Sequence, residues 1–163
     1  MATDPEGIYE LNCLPVQLCG VGRETRTAGL PAARPVAAAM PDSLVWALVG
    51  RVSEDSTRAV IQRLWDFRVR YSDTDSCRRA LDWVKTRLAG LGCDSTWLDT
   101  FRPDYAPNAI GLKRGTVNPD RYYVVCAHAD ATSETPRAYS PGCEDNASGV
   151  AAVLELARAL ADV

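Results

Sequence analysis

The sequence predicts an α/β fold, a mixed β-sheet with flanking helices, and three stretches carry that expectation. Cys77, Leu81, Val84, Leu88 and Leu91 step by four and three, the period of one helix face. Tyr122–Ala127 is an unbroken run of apolar and aromatic residues, the pattern of a strand buried on both sides. From Ser148 the apolar spacing is helical again. Helices, short strands, a central strand, a loop and a helix in that order make an α/β layer. The strands are too few to complete such a layer, so the fold reads as incomplete, the first part of a larger domain.

Residues 1–41 hold half of the prolines and no sustained period of 2 or 3.6, and read as a mobile leader ahead of a domain over 42–163. Leu44, Val45, Leu48 and Val49 mark a short helix ending near Gly50. Ser53 is a good N-cap for a second helix whose inner face is Val60, Ile61, Leu64 and Phe67. After a polar link over 71–76, Ser76 is expected to cap the third helix, which Gly90 and Gly92 stop. Thr, Trp, Leu and Phe favour a strand over 95–101, and 108–113 is another short one. Residues 115–120, with Asn-Pro-Asp at the tip, are expected to form a hairpin turn into the apolar strand 122–127. The last helix is expected to bury Val150, Val153, Leu154, Ala157 and Leu160.

At 163 residues the chain suffices for one ordinary domain with a sizeable core. A net charge of −3 leaves no basic excess for nucleic acid, and no apolar run approaches the ~20 residues of a membrane span. The N-terminus has neither the basic start nor the apolar centre of a secretory signal, so the chain is cytoplasmic or takes its export signal from outside this sequence. Its six cysteines form no close pair of the zinc-knuckle kind. Cys126 is expected to pack inside the strand, and Cys77 with Cys93, flanking one helix, are candidates for a disulfide.

Chemistry is expected at the end of the apolar strand, where open α/β sheets place ligands. His128, the single histidine, stands there with Asp130 two positions on, on the same face of an extended segment. A carboxylate so placed can hold the imidazole and fix which nitrogen meets a metal. Asp145 and Asn146 stand before the last helix, able to return a second carboxylate to the same edge. His128 and Asp145 are the candidate metal pair. The plain alternatives are a satisfied polar histidine and an Asp145 that serves as turn residue or helix cap. Glu144 competes with Asp145 for its role, and the thiols of Cys126 and Cys143 are further zinc donors at no recognised spacing.

His-Ala-Asp at 128–130, followed by Pro-Gly-Cys-Glu-Asp-Asn-Ala-Ser-Gly at 141–149, resembles the di-zinc aminopeptidases of metallopeptidase family twenty-eight, the aminopeptidase Y family. The usual family text is His-x-Asp and then Pro-Gly-Ala-Asp-Asp-Asn-Ala-Ser-Gly, so Glu144 stands where Asp is usual and Ala129 where a larger residue is. The resemblance covers roughly residues 50 to 163. It implies a zinc exopeptidase-like fold, a peptide substrate and two zinc ions in the complete site. His128 becomes a ligand of one zinc, Asp145 the carboxylate bridging both, and Asp130, the catalytic residue of this set, the orienting partner of His128. It also implies a cis peptide after Asp145. The family's Glu-Glu pair, which supplies the base and a ligand of the second zinc, has no counterpart here, so this chain is expected to be inactive by itself. The competing readings are a glutaminyl cyclase relative and a non-catalytic module that keeps the scaffold for a partner.

Overall fold

The computed structural model describes residues 43–162, and the leader assigned to 1–41 lies outside them. Four helices and two strands follow in order: α1 (Ser43–Val49), α2 (Glu54–Asp66), α3 (Asp75–Gly90), β1 (Ser95–Asp99), β2 (Asn108–Leu112) and α4 (Ser148–Ala159). A single wide turn, Cys143–Ala147, precedes α4. The described residues are thus mixed α/β, with a sheet of two antiparallel strands in which Trp97 faces Ile110.

Helices α2 and α3 begin where a short polar side chain can take up a free amide. Ser53 Oγ accepts from the Ser56 amide at the start of α2. At the start of α3 the cap is Thr74 and not Ser76: Thr74 Oγ1 accepts from the Cys77 amide at 3.2 Å, while Ser76 Oγ donates to the Phe67 carbonyl at 2.9 Å. The polar link is therefore shorter than its composition indicates, and one of its hydroxyls ties α3 back to the end of α2.

The core forms where α2, α3 and α4 meet. Val60 and Leu64 from α2, Ala80, Val84 and Leu88 from α3, and Val150, Ala151 and Leu154 from α4 enclose one cluster, with Ala147 beneath them. A second cluster, Cys77, Leu81 and Ala106, packs against Leu98, Ala109 and Ala129 and so joins α3 to the hairpin. Val153, Ala157 and Leu160 are only half-buried, whereas Ala151, Glu155 and Ala159 are buried, so the inner face of α4 carries a carboxylate. Glu155 accepts the Ser53 amide at 2.6 Å and is gripped by Arg158. The cap residue of α2 thus has its own N–H satisfied from α4, a role that a capping box gives to a residue of the same helix.

The clearest departure from expectation lies at 122–127. The turn before it closes, with the Arg121 amide on the Asn118 carbonyl at 3.0 Å, but no strand follows and no hairpin with β2 forms. Tyr122, Tyr123, Val124, Val125 and Cys126 are exposed. Tyr and Val suit a strand only when a neighbouring backbone completes the ladder, and none of the described residues does so here. The order improves towards the end of the segment, where the Ala131 amide bonds the Arg70 carbonyl at 2.8 Å and the Arg70 amide bonds the Ser140 carbonyl at 3.1 Å. Cys77 and Cys93 are free thiols. They sit beyond opposite ends of most of α3, about 20 Å of helix at 1.5 Å per residue, far outside the reach of a disulfide.

Candidate metal centre

Two segments build the site, and local chemistry shapes both. The turn Cys143–Ala147 is entered through Gly142 at φ 51, a left-handed conformation in which a Cβ would lie 2.4 Å from both Ala131 Cβ and the Asp145 carbonyl. Within the turn Asp145 and Asn146 leave helical geometry, and the peptide between them is cis. Asn146 Oδ1 accepts the Gly149 amide at 2.9 Å in the first turn of α4. A Cβ at position 149 would stand 2.3 Å from that oxygen, so any other residue there would push the Asn146 side chain out of its bond. The capping work thus falls to Asn146, and the Asp145 carboxylate is left to face elsewhere.

It faces His128. Asp145 Oδ1 lies 3.0 Å from His128 Nε2, and the other ring nitrogen, Nδ1, lies 3.1 Å from the Asp130 carbonyl and 3.4 Å from its Oδ1. With the ring proton on Nδ1, donated to Asp130, Nε2 and Asp145 Oδ1 are two acceptors in contact. Such a pair calls for a cation between them, a proton or a metal ion. An imidazole nitrogen with a carboxylate oxygen is a zinc donor set, and bonds of about 2.0–2.2 Å span this separation. The residues present therefore fit zinc as part of a site. Among the described residues no group of three or more His, Cys, Asp or Glu side chains converges, and a catalytic zinc takes three protein ligands. Glu144 and Glu134 are exposed and bond neither His128 nor Asp145 through their carboxylates. Cys126 and Cys143 are exposed free thiols.

The residue that sequence reasoning missed is Arg70, which has no exposed surface. Its guanidinium donates to the carbonyls of Ala129 (Nε, 2.9 Å), Pro141 (Nη1, 2.6 Å) and Gly142 (Nη2, 3.0 Å). Burial pushes it below its ordinary basicity, while Cys77, Cys143, Asp130 and Asp145 act in the other direction. One planar head thus holds the His128 segment and the Asp145 turn together. A charged residue directly after Val69 in a stretch otherwise leading out of a helix was the only sequence signal.

The sequence model described as Peptidase family M28 matches residues 108–163, the stretch that carries His128, Asp130 and Asp145. A probable zinc metalloprotease of Pyricularia oryzae is 29% identical over 154 residues, covering 80% of this chain and 31% of the relative. A probable zinc metalloprotease of Pyrenophora tritici-repentis is 29% identical over 147 residues, with coverage of 75% and 34%. A probable leucine aminopeptidase of Arthroderma otae is 27% identical over 117 residues, with coverage of 69% and 32%. The chain spans about a third of the length of the curated relatives it matches. The motif, the local geometry and these likenesses agree that the stretch 108–163 is similar to peptidase family M28.

Proposed function

We propose that the chain supplies the first zinc-holding residues of a metallo-exopeptidase of aminopeptidase type, acting on peptide N-termini. The observation that carries this is the 3.0 Å approach of His128 Nε2 to Asp145 Oδ1 inside the family-matched stretch. His128 and Asp145 would hold the metal, and Asp130 fixes the ring so that Nε2 is the ligating nitrogen. The Asp145 side chain is 82% exposed, which leaves its carboxylate open to a second ion and to substrate. Zinc, when bound, polarises a carbonyl and lowers the pKa of a water. The chain's own part is to present one imidazole and one carboxylate in fixed relation, and to keep the ring proton on Nδ1.

The reading includes inactivity of these 163 residues alone. General base catalysis needs a carboxylate or imidazole within hydrogen-bond reach of the attacked water, and the residues at the site are engaged in holding metal or ring. Zinc titration against a chromophoric chelator and hydrolysis of a leucyl anilide test both halves. The expected result is weak zinc binding that is lost in Asp145→Ala and in His128→Ala, with no hydrolysis. Zinc binding indifferent to both substitutions overturns the metal pair. Hydrolysis abolished by chelator and by Asp145→Ala overturns the inactivity.

A further inference from the structure

Arg70 lies outside the family-matched stretch and far from it in sequence, yet it is the largest fully buried side chain among the described residues. We propose that Arg70 is a positioning residue, whose guanidinium sets the distance between His128 and Asp145. The inference rests on the reading of those two residues as a pair.

Three backbone carbonyls, Ala129, Pro141 and Gly142, converge on one planar fork. Ala129 is the residue between His128 and Asp130, and Gly142 stands three residues before Asp145. The Arg70 main chain adds to the clamp, accepting the Ala131 amide at 2.8 Å and donating to the Ser140 carbonyl at 3.1 Å. Five bonds from one residue therefore tie the stretch just after His128, residues 129–131, to the stretch just before Asp145, residues 140–142. Among the described residues no strand ladder pairs 127–131 directly with 140–142; both segments are tied to the 68–70 stretch, where the Ser140 amide also bonds the Arg68 carbonyl at 2.9 Å. A lysine has a single donor atom and cannot reach three carbonyls in the fork arrangement, and a methionine supplies no donor.

The single histidine makes a direct test practical in the whole 163-residue chain. With ¹⁵N-labelled histidine, Asp145→Asn should move the His128 imidazole signals in an otherwise native background, because Oδ1 touches Nε2. In Arg70→Met and, to a smaller extent, Arg70→Lys, the same Asp145→Asn change should leave those signals in place, and zinc affinity should fall about 10- to 100-fold, the range for outer partners of metal ligands. A full native response of His128 to Asp145→Asn in an Arg70→Met chain that keeps its thermal transition overturns the proposal. If Arg70→Met has no such transition, Arg70→Lys carries the test, since it keeps a buried cation but not the fork of donors; a weakened response supports the clamp and a full native one overturns it. A native chain that displaces no zinc from chelator, yet shows the Asp145-dependent His128 response lost in Arg70→Met, ends the metal reading and upholds the positioning role.

Discussion

At the scale of single residues, the site is a matter of which oxygen does which task. Asn146 takes the helix amide and Asp145 is released to His128, so the adjacent pair Asp-Asn splits into a histidine-facing and a structural member. Asn146→Ala is expected to cost about 1 kcal/mol through the lost amide partner, and thermal melts should show it. Gly149→Ala is expected to cost more, at least ~2 kcal/mol, because its Cβ collides with the Asn146 side chain. A smaller loss for Gly149→Ala than for Asn146→Ala would contradict this division of labour. The motif Asp-Asn-Ala-Ser-Gly was legible in the sequence as a turn before a helix. Which of its two polar residues capped the helix was not, since both side chains have the required oxygen.

At the scale of elements, the joint between α2 and α4 depends on charge. Arg158 chiefly, then the Ser53 amide, holds the buried Glu155 carboxyl down at about 2 against an ordinary 4.5, with desolvation opposing them. Because the folded carboxyl is the more acidic one, its stabilisation is complete above about pH 4.5 and is lost as pH falls towards 2. The expected contribution is roughly 3 kcal/mol. Melts from pH 7 down to pH 3 should show this acid loss in the native chain, and Glu155→Gln should be less stable at pH 7 and flatter below pH 4.5. Parallel acid curves for the two would remove Glu155 from the account. Elsewhere the joint is apolar: Leu64 and Leu154 are essentially without exposed surface, and either one changed to Ala is expected to cost about 2–5 kcal/mol. The helices themselves were readable, for the period of α2 and α3 recurs in the buried set. Glu155 was not, because a carboxylate inside an apolar face looks like the edge of that face until the Ser53 amide, from a hundred residues away, meets it beside Arg158.

At the scale of the whole molecule, residues 122–125 present four consecutive large side chains to the surface, Tyr123 at 82% exposure. Contiguous apolar surface of this kind drives association. Tyr123→Lys with Val125→Lys should raise the soluble fraction and lower binding of a hydrophobic dye, with the thermal transition kept. A drop of several degrees in that transition would mean that the segment packs in solution where it is exposed here.

The sequence by itself determined the helices, the two short strands and which residues make up the candidate site. Each of those depends on contacts within a few residues or on a compact motif: period, caps, turn formers, and the His-Ala-Asp and Asp-Asn-Ala-Ser-Gly stretches. Tertiary structure alone decided that 122–127 lacks a ladder, that Thr74 and not Ser76 caps α3, and that Arg70 is the residue joining the two halves of the site. These depend on which backbone groups meet across the chain. A β-favouring run is a strand only beside another strand, and a guanidinium is a clamp only where three carbonyls converge on it.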